Sequence, residues 1–158
     1  MRFLFQTIII ASLVLFSCRK DKNLDLPDYS HVAEIPGGYS GDNHHTYYGW
    51  GGQGWVLYDP TIIENNYHSV LINYWSSGIG NVVMEVEGSE LKITDQIDTI
   101  TSYGMGGAYF SQYLLKLNAS GTYYSESNSI YLDYTEETAP LGSNDFDTSK
   151  VGYISISK

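Results

Sequence analysis

Cysteine is nearly missing from this chain of 158 residues, because Cys18 is the only one. A single thiol cannot form an intramolecular disulfide, nor a zinc site built from several cysteines. We therefore expect the folded part of the chain to be stabilised by side-chain packing and backbone pairing.

Basic residues are also scarce, with 8 lysines and arginines against 18 aspartates and glutamates, so that the net charge is −10 at pH 7. Nucleic acids are bound through clustered Lys and Arg, which neutralise phosphates. The charge balance argues against a nucleic-acid partner. The small cluster Arg19, Lys20 and Lys22 is the one basic stretch, and it directly follows Cys18.

Long apolar runs are missing after residue 16. The run from Phe3 to Phe16 is almost wholly apolar, yet it is shorter than the roughly 20 residues that a membrane-spanning helix needs. Arg2 precedes it and the small residue Ser17 ends it, which is the layout of an export signal. Residues 1–17 are therefore predicted to be a signal peptide.

The end of this segment, Leu15-Phe16-Ser17-Cys18, resembles the lipobox that the bacterial lipoprotein signal peptidase recognises. The resemblance implies that the Cys18 sulfur carries a diacylglycerol and that its new α-amino group carries a fatty acid such as palmitate. Two or more acyl chains anchor a protein stably to a membrane. We expect a lipid-anchored protein of the cell envelope, on the outer membrane of a Gram-negative bacterium.

Residues 18–36 combine mixed charge with Pro27 and Pro36 and show no helical or strand period. This composition is typical of an extended, flexible tether. The sequence thus divides into a signal peptide (1–17), a lipidated cysteine with its tether (18–36) and a single domain (37–158).

The domain is predicted to be all-β, because helical stripes are absent while β-branched and aromatic residues are dense. Residues 82–87 alternate between apolar and polar, and Leu91 and Ile93 resume the alternation after a turn at 87–90, which predicts a hairpin. Residues 118–121 and 126–128 have turn composition, and 61–66 reads as a short helix or a loop. Further strands are predicted at 46–50, 55–58, 69–75, 109–117, 121–125, 129–135 and 152–157.

Short strands at nearly even spacing indicate an antiparallel meander of about eight to ten strands, closed as a barrel or, alternatively, folded as a β-sandwich. The opening Gly37-Gly38-Tyr39-Ser40-Gly41 resembles the first strand of small bacterial lipoproteins with a lipocalin-like, or calycin-like, barrel. The segments 120–123 and 129–134 are similar to their terminal hairpins. This resemblance implies a barrel with an internal cavity.

Residues 42–50 concentrate histidine, tyrosine, tryptophan and glycine. Aromatic rings can stack on the apolar faces of sugars, while aspartate and asparagine bind sugar hydroxyls. Aromatic side chains also pack in cross-strand pairs on sheets, and that alternative stays open for each of them. The candidate ligand-binding residues are Tyr47, Tyr48, Trp50, Trp55 and Trp75.

Motifs of catalysis and cofactor binding are absent: there is no G-x-S-x-G elbow and no H-E-x-x-H helix. Residues 49–54 match G-x-G-x-x-G, but a predicted strand follows them where a dinucleotide site needs a helix. His44 and His45 are adjacent, so they point to opposite faces of a strand and do not suit a shared metal. No cofactor or metal is expected.

Thr99 lies in Asp98-Thr99-Ile100, which resembles a bacterial O-glycosylation tripeptide. Together with the anchor, these patterns indicate a non-enzymatic envelope protein that binds a small apolar ligand or a glycan. Two alternatives stay open. One is a structural or accessory subunit of an envelope complex, and the other is a hydrolase whose site carries no familiar motif.

Overall fold

The computed structural model describes residues 27–49, 51–73, 75, 79–103 and 110–158, which form ten antiparallel strands in one strongly curled sheet. The predicted all-β meander is confirmed, and its shape is barrel-like. The predicted signal peptide and Cys18 lie outside the described residues. The strands are β1 (Gly37–Gly38), β2 (Ser40–Tyr47), β3 (Gln53–Tyr58), β4 (Thr61–Asn66), β5 (Ser69–Asn73), β6 (Asn81–Glu87), β7 (Glu90–Tyr103), β8 (Phe110–Tyr124), β9 (Ser129–Pro140) and β10 (Asp147–Ser157).

The strand order is β1-β4-β5-β6-β7-β8-β9-β10-β2-β3. Only Tyr39 separates β1 from β2, and its backbone N–H donates to the Pro60 carbonyl at 3.0 Å. β1 pairs with β4, β2 pairs with β3, and β2 also pairs with the last strand, β10. The chain therefore curls back so that its last strand lies against its first long strand.

The core fills the inner face of this sheet. Val82, Met84 and Val86 of β6 are buried, as are Leu91 and Ile93 of β7, in keeping with the predicted hairpin, whose turn residue Gly88 has φ 57°. Each such side chain contributes roughly 1.5–3 kcal/mol when it leaves water. The same cluster contains buried residues from other strands: Ile62, Val70, Ile72, Leu115, Leu117, Tyr123, Ile130, Leu132, Ile154 and Ile156.

The turn predicted at 118–121 is wrong, because β8 runs unbroken from Phe110 to Tyr124. Ala119 is buried, and this part of β8 pairs with β7 on one side and β9 on the other. The Asn118 side-chain carbonyl accepts from the Asp95 N–H at 2.8 Å, where β7 is bulged and Asp95 has φ 44°. The asparagine therefore supports a bulge in the neighbouring strand.

Residues 61–66 form β4 rather than a helix or a loop, since Ile62 is drawn into the core and β5 pairs alongside. The segment 29–35, which the sequence assigns to the tether, contains a turn. Val32 and Ile35 of this turn are buried in the core, and the Tyr39 hydroxyl donates to the Ile35 carbonyl at 2.7 Å. The packed domain therefore begins before Gly37.

Within the described residues, no helix has the length and apolar character of a membrane span.

Candidate functional site

An open groove of about 840 Å³ crosses six neighbouring strands, β7, β8, β9, β10, β2 and β3. Ile93, Ala119 and Tyr134 belong to its floor, but their side chains are buried on the inner face, so the side chains next to them in sequence point outward. The groove therefore lies on the outer face of the sheet, opposite the core.

Strand register sets the outer-face side chains in two straight rows. The upper row consists of residues that pair directly, strand by strand: Lys92, Ser120, Asp133, Tyr153, His44 and Trp55. The lower row is displaced by two residues along each strand and consists of Asn118, Thr135, Val151, Thr46 and Gln53. All of these residues except Trp55 line the groove, and Trp55 continues the upper row beyond it.

Aromatic rings occupy one end of the upper row, and Tyr131, two residues before Asp133 on β9, adjoins them. We name Trp55, His44, Tyr153 and Tyr131 the aromatic ladder. The His44 and Tyr153 rings are 4.8 Å apart and 16° from parallel, and those of Tyr131 and Tyr153 are 5.6 Å apart and 22° from parallel. Trp55 lies 6.3 Å from His44 at the end of the ladder and is 58% exposed. Because His44 and Tyr153 are covered by neighbouring rings, Trp55 is the most exposed ring of the ladder.

The Tyr131 hydroxyl donates to Asp133 Oδ1 at 3.0 Å. Desolvation and this hydrogen bond raise the pKa of Tyr131, so the phenol stays protonated and keeps donating at neutral pH. Asp133 is thereby oriented in the upper row while its other lone pairs stay free to accept further hydrogen bonds.

The rest of the lining is mostly uncharged. Among the described residues that line the groove, Lys92 is the single lysine or arginine and Asp133 the single carboxylate. Ser120, Thr135 and Gln53 supply hydroxyl and amide groups, which both donate and accept hydrogen bonds. A flat aromatic end and a polar, nearly neutral floor suit a ligand with apolar faces and many hydroxyls.

Two glycines in the floor of the groove make room for rings on the inner face. A Cβ on Gly152 would lie 2.2 Å from the His44 carbonyl and 2.8 Å from the Tyr134 ring. A Cβ on Gly54 would lie 2.2 Å from the His45 ring. Glycine at these positions lets the rings lie against the backbone of the neighbouring strands.

A buried polar cluster lies on the inner face of the same strands. Lys150 Nζ is 2.9 Å from Glu136 Oε2, and both side chains are at most 4% exposed. Trp75 Nε1–H donates to Glu136 Oε1 at 3.2 Å, and the Tyr134 hydroxyl donates to Asn43 Oδ1 at 2.8 Å. The hydrogen bond from Trp75 helps to offset the cost of burying the Glu136 and Lys150 charges.

His45 points toward this cluster, while His44 lies in the groove on the outer face. This confirms that the adjacent histidines face opposite ways. Burial, and then the charge of Lys150, lower the pKa of His45. In the described part of the chain, no group of three or more His, Cys, Asp or Glu is placed to hold a metal ion.

The candidate ligand-binding residues fall in different places. Trp55 ends the upper row, and the exposed Tyr47 and Tyr48 lie at the end of β2, outside the groove lining. Trp75 is only 3% exposed and packs edge-to-face on Tyr58 and Tyr134, so it belongs to the core. Trp50 lies outside the described residues. The O-glycosylation candidate Thr99 is exposed on β7.

Sequence reasoning did not find Tyr153, Tyr131 or Asp133 as site residues. Tyr131, Asp133 and Thr135 alternate with buried residues along β9, so their outward direction could be read from the sequence. Their position beside His44 could not be read from the sequence, because it depends on the pairing of β10 with β2, which lies more than a hundred residues away in the chain.

No model of a known protein family, no curated protein and no solved structure matches this chain.

Proposed function

We propose that this chain is a lipid-anchored envelope protein whose β domain binds a glycan in the outer-face groove and does not cleave it. The observation that carries the proposal is the upper row, in which the exposed Trp55, the stacked His44 and Tyr153, and the carboxylate of Asp133 follow one another across adjacent strands.

A glycan is supported over a small apolar ligand by what each face of the sheet offers. The described apolar side chains of the inner face pack on one another in the core. The groove instead combines ring surface with hydroxyl, amide and carboxylate groups. Sugar rings have apolar C–H faces and polar edges, and Trp is an amphipathic surface that suits both.

Binding without cleavage is supported by the carboxylates. Glycoside hydrolases act with a pair of Asp or Glu residues on either side of the scissile bond. Among the described residues that line the groove, Asp133 is the single carboxylate. It is already engaged by Tyr131, which suits an oriented hydrogen-bond acceptor.

The direct test is a glycan array probed with the full chain, purified from membranes in a detergent without a sugar headgroup. We expect binding to a subset of neutral glycans, and we expect Trp55→Ala to lower the affinity about tenfold or more, since it removes the free ring face. Tyr48→Ala is the matched control, because Tyr48 is similarly exposed but belongs to neither row of the outer face. Absence of binding to any glycan, or equal loss in both variants, would refute the proposal.

The anchor is proposed at Cys18, on the outer membrane of a Gram-negative bacterium, and rests on the lipobox-like residues before it. The described domain starts its packing near Tyr29, so only a short segment would separate it from the bilayer. Cys18→Ala should move the protein from the detergent phase to the aqueous phase in a phase-partition assay while leaving glycan affinity unchanged. Retention in the detergent phase would refute the anchor.

A second candidate function, as an accessory subunit, is favoured by strand β3. In the described structure β3 pairs only with β2, it carries no charged residue, and its Trp55, Val56 and Leu57 are exposed. Such an edge can accept a strand from another protein. Leu57→Lys should then release a partner that copurifies with the wild-type protein from membranes. Under the glycan-binding proposal, Leu57→Lys should not change sugar affinity.

A further inference from the structure

We infer that the groove selects a linear, extended and neutral oligosaccharide that lies across the strands, with about one sugar ring for each strand. This inference rests on the proposed glycan binding and specifies the ligand of the same site.

The length of the site follows from strand spacing. Neighbouring strands lie about 4.7–4.9 Å apart, so the six strands under the upper row span about 24 Å from Lys92 to Trp55. A sugar ring in an extended chain takes up nearly the distance between two strands. An oligosaccharide that lies across the sheet can therefore place successive sugar rings over successive strands.

The direction of the chain follows from the two rows. Side chains two residues apart on one strand stand about 6.8 Å apart, which leaves a channel between the upper and lower rows that runs across the strands. Asp133 above and Thr135 below can then reach hydroxyls on opposite edges of one ring. A ligand lying along the strands would meet only one or two of these pairs.

The charge of the ligand follows from the lining and from the whole chain. The groove holds Asp133 near its centre, and the chain carries a net charge of −10. Lys92 is the one lysine of the lining, at the far end of the upper row, and it pairs across from Glu85 of β6. A polyanionic glycan would be repelled, whereas a neutral one meets no such cost.

The two ends of the row make different contributions. Trp55 gives ring contact at one end, and Lys92 gives a charged hydrogen-bond donor at the other. A short oligosaccharide should occupy the Trp55 end, because the ring face there offers the largest contact area. Only a chain of about five or six rings should reach both ends.

The test is isothermal titration of the full chain, in a detergent without a sugar headgroup, with neutral β-1,4-linked oligosaccharides of two to six rings. Glucose, xylose, mannose and N-acetylglucosamine series cover the common extended chains. For at least one series, we expect the affinity to rise at least tenfold from the disaccharide to the hexasaccharide. Maltohexaose, built from glucose but curled by its α-1,4 linkage, is the matched control of shape and should bind more weakly than the extended hexasaccharide.

Variants at the two ends of the upper row test the contribution of each end. Trp55→Ala should weaken chains of every length, whereas Lys92→Met should weaken the hexasaccharide about threefold to tenfold and leave the disaccharide unchanged. Lys116→Met, which replaces a lysine of the same sheet outside the groove lining, should change neither. Equal affinity for disaccharide and hexasaccharide, or for extended and curled hexasaccharides, would overturn the inference and leave the proposed function standing. Absence of binding to any sugar would instead overturn the proposed function.

Discussion

The two faces of the sheet carry aromatic residues in different arrangements. On the inner face, Trp75 meets Tyr58 and Tyr134 edge-to-face, with interplanar angles of 71° and 85°. On the outer face, the rings of His44 and Tyr153 are nearly parallel across adjacent strands. The inner tryptophan donates its N–H to a buried carboxylate, whereas the outer one, Trp55, is mostly exposed.

The surroundings of an aromatic ring, rather than its type, determine whether it packs in the core or can contact a ligand. A buried Trp or Tyr must satisfy its polar atom, because an unpaired polar group is costly away from water. An outward ring needs no such partner, and it keeps surface free for a ligand. Trp75 therefore contributes to the stability of the domain, whereas Trp55 leaves ring surface exposed for the proposed glycan.

The largest loss of stability is expected on the inner face, at the buried ion pair of Glu136 and Lys150. Glu136→Leu should lower the free energy of unfolding by about 3–5 kcal/mol, because it leaves the Lys150 charge buried without its carboxylate partner. Glu137→Leu is the matched control on the same strand: its ion pair with Lys116 is partly exposed, and its loss should cost about 1 kcal/mol or less. Chemical denaturation measures both. Equal losses would show that the buried pair has no special weight.

The double variant Glu136→Leu with Lys150→Met sharpens this result. It should be more stable than Glu136→Leu alone, since no uncompensated charge then remains in the core.

A smaller effect is expected from exchanging each tryptophan for phenylalanine. Trp75→Phe should lower the free energy of unfolding by about 1–3 kcal/mol, because Glu136 loses a buried donor. Trp55→Phe should stay within about 0.5 kcal/mol of wild type, as exposed substitutions usually do. Sugar affinity should fall in Trp55→Phe and stay unchanged in Trp75→Phe. A Trp75→Phe protein that is folded but has lost sugar binding would contradict the assignment of Trp75 to the core.

The smallest effect concerns the two histidines. Because the folded state lowers the pKa of His45, the unfolded chain binds a proton more readily below a pH of about 6.5. The free energy of unfolding is therefore not reduced by His45 above that pH, and it decreases as the pH falls below it. His45→Gln should reduce the drop in denaturation midpoint between pH 7.5 and pH 5. His44→Gln keeps the inner histidine and should retain the drop, and a reduced drop in that variant would contradict the assignment.

Sequence reasoning succeeded where neighbouring residues determine the outcome. The alternation of Val82, Met84 and Val86 suffices to predict the β6–β7 hairpin, and adjacency alone places His44 and His45 on opposite faces. It failed at 118–121, where pairing on both sides overrides the turn preference of Asn and Gly. It could not separate Trp55 from Trp75, because their surroundings come from distant strands.

We propose that the outer face, at the upper row, binds the glycan. A crystal structure of the protein with the tightest-binding neutral hexasaccharide tests this most directly. That structure should show sugar rings across the strands, with one against Trp55 and hydroxyls within hydrogen-bond distance of Asp133. A sugar seated inside the curled sheet beside Trp75, or bound only beside Tyr47 and Tyr48, would contradict it.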